Sequence, residues 1–523
     1  LISNAFLGQI TFASGSSSFI KSEGIPFQGQ INFDGIGSWE LKDNFNTLGK
    51  LKIIKGSLAT GDAAQLLSGS FNVTCLGLFI NGVKPRTLKA GTSIFTITGA
   101  DTAFIFSPVN LFLYEELATF KFTNIGVDTV RYFSSGVTDT ITNLNIASST
   151  ILFEDESAFK NIVSVPGSGI VIKEKKTLST NSLSIDGTCS LVSVLSSSSS
   201  DTALLKVVGG ATINYNSIKG INAVSGSYVA NNSFDNGANK GWVINEIASN
   251  GYVYWTANGA NDNWSNPDNW STNCIPGPND TVVFNSASFT TNNQIVNLDI
   301  DGYAYAVRWE GTTNNPEFSG SDYSLRLKNE LTIDVPIVSS FSGNILLTGL
   351  GNGTIKTSGV VQNSELSFEN SCDWIFLDGY NSNEGIEINE GSLDFGAFSH
   401  SINHLLSTST SSRVINLNSA VIELKGTENT IEFESTGLTL NTTSSTLNLT
   451  NTNNSLFSRL ISNAVSYDTI VVANLSTHIY GSNTFKCIKL NAGSELLLEG
   501  GEVQNIDSLI SFGTCANMVR LGT

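Results

Sequence analysis

The sequence predicts an all-β chain: a parallel β-helix or β-solenoid with rungs of ~21–22 residues, set in tandem units of about 330 residues. Three observations carry this expectation: a helix-poor composition, a short repeat, and a long repeat that contains it. The chain has 523 residues, 40% of them hydrophobic, with 48 glycines, 9 prolines, 1 methionine and only 14% charged side chains. An ordinary soluble domain carries about 25% charged residues, so here Gly, Ser and Asn cover much of the surface and turn the chain often.

The short repeat comes first. Gly8-Gln9-Ile10-Thr11-Phe12 returns 21 residues later as Gly29-Gln30-Ile31-Asn32-Phe33, and Ile53 follows Ile31 by 22. In order, residues 10–12, 19–21, 31–33, 39–41 and 51–54 read as brief alternating strands separated by turn formers. A rung of this length cannot bury both sides of its own strands, so it must stack on its neighbours. Ile10, Ile31 and Ile53 are therefore expected in one inward column, as are Ile345, Leu366 and Ile388. Tandem β-sandwich domains are the rival reading, since they also show short strands at regular intervals, but they rarely keep such a phase.

The long repeat is the stronger. Phe6, Gly8, Ile10, Ile20, Phe33, Trp39, Asp43, Ile53 and Leu58 recur 335 positions on as Phe341, Gly343, Ile345, Ile355, Phe368, Trp374, Asp378, Ile388 and Leu393. Further along, Phe159, Ile162, Ser182-Leu183 and Gly187-Thr188-Cys189 recur at an offset of 326 as Phe485, Ile488, Ser508-Leu509 and Gly513-Thr514-Cys515. The difference, 335 − 326 = 9 residues, fits a shortened turn, which a solenoid tolerates because its loops project from the stack. Residues 1–250 thus read as the body and C-terminal end of a first unit, and 251–523 as the Trp-rich head and body of a second, incomplete one. With Leu1 at its start and no leader pattern, the chain reads as a piece of something longer.

Asn and Gly accumulate between Ser227 and Ser249, most densely from Asn231 to Gly241, where rung stacking is expected to break and proteolysis to begin. The segment Asp235-Asn236-Gly237-Ala238-Asn239-Lys240-Gly241-Trp242 leads into Tyr254-Trp255, then Asn263-Trp264-Ser265 and Asn269-Trp270-Ser271, then Pro276-Gly277-Pro278-Asn279-Asp280. This boundary resembles the module junctions of very large, repetitive β-helical surface proteins of type IX-secreting gliding Bacteroidota, including their gliding adhesins. The resemblance implies an extracellular, cell-surface location and a role in attachment or gliding. It also implies neighbouring repeat units of one long chain as the main partners, with surface polysaccharide or other cells as outer ones.

Charge narrows the alternatives. Lys and Arg total 27 against 45 Asp and Glu, and 27 − 45 = −18, so nucleic acid and anionic membrane surfaces are disfavoured partners. No stretch reaches the roughly 18 apolar residues of a membrane-spanning helix, so membrane insertion is not expected. Six cysteines lie far apart without a CxxC, which points to buried free thiols before a disulfide framework.

Candidate chemistry is sparse. β-Helical polysaccharide lyases or hydrolases need clustered acids, and the candidates are Asp43, Asp378, Asp262, Asp268 and Asp280. Asp43 and Asp378 recur with their rung, which favours a turn role, and no catalytic or cofactor-binding residue is assigned. His400 and His404 have helical metal-pair spacing without the following Glu, and their counterparts Gln65 and Gly69 are not ligands, so they read as surface or loop histidines. Trp255, Trp264 and Trp270 read as an end cap hiding strand edges, or as a glycan platform. No cofactor is expected, with calcium, on a loop of Asp262, Asp268 and nearby Asn oxygens, as the alternative. By the same resemblance, the Asp-Ser/Thr-aliphatic triplets make Thr102, Thr129, Thr140, Thr202, Thr281, Thr469 and Ser508 candidate O-glycosylation sites. The function expected is a structural, adhesive stalk; the alternatives are a polysaccharide-cleaving enzyme and a glycan-binding module.

Overall fold

The computed structural model describes residues 8–61, 71–107, 109–115, 117–124, 129–134, 141–147, 150–349, 351–451, 457–473 and 476–523. Short strands follow one another along the chain, and the helix described is a single 3-10 turn, Pro267–Asn269. The strands pair in parallel with a spacing of ~22 residues, which makes the fold a β-solenoid. Two compact units divide at Leu1–Ile247 and Ala248–Thr523. The first contains sheets of 14, 9 and 3 strands, the second sheets of 18, 3 and 6.

Each unit has its own apolar column. In the first, Ile31, Phe33, Trp39 and Leu41 point inward from the strand Ile31–Leu41 and are buried. In the second, Leu366, Phe368 and Trp374 occupy the matching places and are equally buried. Burying a large apolar side chain contributes about 1.5–3 kcal/mol, and alternate residues of each strand repeat the gain rung after rung.

The register corrects one expectation by two residues. Ile10 faces Ile31, but Ile31 faces Leu51, while Ile53 sits opposite Phe33 in the next column. The second unit makes the same choice: Ile345, Leu366 and Ile386 align, and Ile388 aligns with Phe368. Side chains alternate with a period of two, so a two-residue slip keeps every apolar group inward and is invisible to a hydrophobic pattern. The expected strands 31–33 and 39–41 are also fused into the one strand Ile31–Leu41, and the next strand is Lys50–Ala59.

The expected break at Asn231–Gly241 is not a break. Ser227–Asn231 pairs with both Gly210–Asn214 and Trp242–Ile244, so stacking continues through the segment. Its asparagines brace turns: Asn239 Nδ2 donates to the Ile218 carbonyl at 2.9 Å, and Asn245 Nδ2 to Asn231 Oδ1 at 2.9 Å. Strand structure stops instead over residues 245–250, where the two units meet in sequence.

Candidate functional site

The Trp-rich head is a packed core. Trp255, Trp264 and Trp270 are at most 1% exposed, so none offers a ring face to a sugar. Trp270 meets Trp264 edge-on at 4.7 Å and Trp255 at 4.9 Å, and all three surround Phe284. Trp270 Nε1 donates to the Trp264 carbonyl at 2.8 Å. The serine after each NW pair serves a neighbouring strand or turn: Ser265 donates N–H and Oγ–H to Asp299, and Ser271 Oγ accepts the Tyr254 N–H. The rings close the apolar column at the start of the second unit, and the glycan-platform reading of this cluster loses its geometric basis.

The surrounding asparagines are equally occupied. Asn261 Oδ1 accepts from Asn263 N–H and Asn266 Nδ2, Asn266 Oδ1 accepts from Asp268 N–H, and Asn269 Oδ1 accepts from Gly259 N–H. Asp262 and Asp268 are exposed beside them. The asparagine oxygens a calcium loop would draw on thus already accept hydrogen bonds from backbone N–H groups and from the Asn266 amide.

The duplicated acids brace turns. Asp43 accepts the backbone N–H groups of Ser22 and Glu23, and Asp378 those of Thr357 and Ser358, at the same 335-residue offset. Each pair opens a turn with positive φ: Glu23 at 54° and Gly24 at 78°, Ser358 at 47° and Gly359 at 81°. Burial pushes the Asp43 carboxyl up, but the N–H groups of Ser22 and Glu23, with Lys21 nearby, outweigh it and hold the group below the usual carboxylate range. Asp280 does similar work for Asn250 and Gly277, and Asp468 for Ser444. Replacing Asp378 by alanine removes two N–H acceptors and is expected to cost about 2 kcal/mol; thermal unfolding of the variant measures this.

Two side chains missed in the sequence are Arg86 and Arg413, both at most 1% exposed. Arg86 faces Gly56 across a rung and Arg413 faces Gly391, so the two occupy equivalent positions. Their separation is 413 − 86 = 327, which places eight of the nine lost residues between Gly56 and Arg86. Arg86 donates to the carbonyls of Gly82, Lys84, Ser107 and Val109 at 2.7–2.9 Å. A search that followed the change of offset would have aligned them.

His400 corrects another expectation. His400 is 2% exposed, in the strand Ser399–Ile402. Its Nδ1 accepts the Tyr380 N–H at 3.1 Å and its Nε2 donates to the Phe395 carbonyl at 2.9 Å, because a neutral imidazole can join two backbone groups inside an apolar wall. His404 lies partly exposed across Gly385, where an added Cβ would come within 2.0 Å of the ring, and reaches Glu365 at 2.9 Å. Gln65 and Gly69 lie outside the described residues.

One acid stands apart. Burial, then Glu365 and Glu369, raises the Glu387 carboxyl above its usual range, so Glu365, Glu369, Glu387 and His404 form a small ledge. By the 335 offset, the first unit has Gln30, Asp34 and Lys52 in place of the three glutamates, so the ledge is carried once. A shallow depression of about 560 Å³ lies elsewhere on the second unit, lined by Glu434, Arg459, Tyr480 and Glu499 among others. Among the described residues no His, Cys, Asp and Glu group has the makings of a metal site.

The remaining predicted positions are scattered. Thr102, Thr202, Thr281 and Thr469 are half-buried and Ser508 is exposed; Thr140 and the Thr129 side chain lie outside the described residues. Thr469 Oγ1 donates to Asp468 Oδ1 at 3.2 Å. Cys75 and Cys372 are buried free thiols as expected, but Cys487 is partly buried and Cys515 exposed. Neither Cys189 nor Cys274 is a free thiol, which corrects that expectation for each of them.

These features define a parallel β-solenoid protein in which Asp43 and Asp378, and Arg86 and Arg413, hold backbone groups at matching places of the two units. Comparison with family models, curated proteins and solved structures gives no match.

Proposed function

We propose that the chain is a structural, adhesive stalk segment of a long repetitive cell-surface fibre, an extracellular adhesin for attachment or gliding. The observation that supports it best is the pairing of duties between units. Asp43 and Asp378 brace the same turn, and Arg86 and Arg413 fill the same buried corner. Duplication of this kind preserves stacking, and stacking adds length without new folding problems. The NW boundary phrase and its family resemblance supply the cell-surface setting, with neighbouring repeats as partners and polysaccharide or other cells beyond them.

A second reading, a polysaccharide hydrolase or lyase, is favoured by one observation: the unrepeated ledge around Glu387, whose raised carboxyl suits a proton donor. The purified chain is expected to release no reducing ends or unsaturated products from a panel of acidic and neutral polysaccharides. Turnover that Glu387→Gln abolishes would replace the stalk reading with the enzymatic one.

A further inference from the structure

We infer that the depression on the outward face of the first unit, walled by Ile36, Lys55 and Phe112, binds a linear acidic polysaccharide, a chain of hexoses that carry carboxylates. The inference supplies a site and a ligand class for the outer partner in the stalk reading, and it rests on that reading.

The depression holds about 400 Å³. Its floor is a column of outward side chains on successive rungs: Ser38 faces Ser57, Ser57 faces Thr87, and Thr87 faces Phe112. Apolar groups stand open beside it, with Ile36 72% and Phe112 59% exposed. Among the described residues the Ser57 and Thr87 hydroxyls have no hydrogen-bond partner, and the Lys55 ammonium has no ion pair, although Asp34 faces it across the rung. A ring face, two hydroxyls and a cation are thus all available to a ligand.

The second unit closes the same place. At the 335 offset Ile36, Ser38 and Lys55 become Ser371, Asp373 and Glu390, and Ser371 Oγ donates to Glu390. At 327, the offset that relates the two buried arginines, Thr87 becomes Val414 and Phe112 becomes Thr439, which face one another as their counterparts do. Both units share the needs of stacking, so groups found in one unit alone are not explained by it.

Charge narrows the ligand. Residues 1–247 carry 17 Lys and Arg against 18 Asp and Glu, and 17 − 18 = −1; residues 248–523 carry 10 against 27, and 10 − 27 = −17. A polyanion is repelled by the field of the second unit far more than by that of the first. The hydroxyls and the ring select a saccharide among anions, because sugar hydroxyls can exchange hydrogen bonds with Ser57 and Thr87 while a C–H face covers Phe112. Rungs repeat at roughly 4.8 Å, close to the length of one hexose in an extended chain, so successive sugars meet successive rungs and a carboxylate reaches Lys55.

Calorimetric titration of the full chain with polygalacturonate and with alginate, each beside its neutral ester, tests this. At least one acidic polymer is expected to bind, its ester about 10-fold or more weakly, and added salt should weaken the acidic form. Ile36→Ser with Lys55→Glu, which installs the second unit's closing pair, and Phe112→Ala should each lower affinity by about 10-fold or more, with an unchanged thermal midpoint as the sign of a folded chain. Failure of both polymers to bind, equal binding of the esters, affinity untouched by either variant, or equal binding of single-stranded DNA, which would make any polyanion the ligand, overturns the proposal. Cleavage of either polymer that Glu387→Gln abolishes would sink the stalk reading instead, and binding by that variant would still report on Lys55.

Discussion

Replacing Arg413 with alanine is expected to destabilise the second unit by about 3–5 kcal/mol. The guanidinium is fully buried, and five donations hold it: Nε to Ser407 Oγ at 2.7 Å, Nη1 to the Ser411 and Thr436 carbonyls at 2.8 and 3.1 Å, and Nη2 to those of Ser407 and Glu434. Burial lowers its pKa, yet arginine titrates so far above neutrality that the group stays charged. Alanine would leave several carbonyls in a dry corner without donors. Lysine keeps the charge but not the planar fork, so Arg413→Lys should recover only a small part of the loss. Denaturation midpoints, with exchange over Arg413–Asn416 and Leu438–Asn441, measure both variants. A lysine variant as stable as the parent would show that charge alone, and not the array of carbonyls, sets the requirement.

Acid should weaken the same unit through His400. Burial lowers its pKa from the ordinary 6.5 to about 4, against smaller opposing effects of the Phe395 carbonyl and Asp378. The unfolded chain therefore takes up a proton at a pH where the folded chain refuses it, so the stabilisation is complete above about 6.5 and is lost as pH falls toward 4. Between pH 7.5 and 5 the loss amounts to about 2 kcal/mol. The refusal has a geometric cause: protonated Nδ1 would point a hydrogen at the Tyr380 N–H it now accepts. His400→Gln removes the titration, and its unfolding midpoint should vary less with pH over that range. Parallel pH profiles for the two proteins would assign the acid sensitivity elsewhere.

The solenoid and its doubled units were legible because stacking imposes a period, and a period survives in apolar residues such as Phe33 and Phe368. Which of Leu51 and Ile53 lies opposite Ile31 was not legible, since both face inward and differ only by a two-residue slip. Turn duties were half legible. Asp43 and Asp378 announced themselves by recurring, whereas Arg86 and Arg413 were hidden by the change of offset between them. The role of His400 was not legible, because helical spacing says nothing about a residue in a strand, whose partners come from Tyr380 and Phe395. The ledge around Glu387 escaped because its members, Glu365, Glu387 and His404, meet only across successive rungs.

Parallel stacking also fixes how either unit would respond to tension. Its inter-strand hydrogen bonds, such as those joining Ile31–Leu41 to Lys50–Ala59, run from rung to rung, along the direction in which the unit grows. A pull in that direction loads them end-on and peels them a few at a time, instead of shearing a whole sheet at once. Each rung that lets go frees ~22 residues, about 70 Å of slack at ~3.3 Å per residue. Such a unit yields in small, countable steps, absorbing a jolt by paying out line while the rungs behind it remain closed.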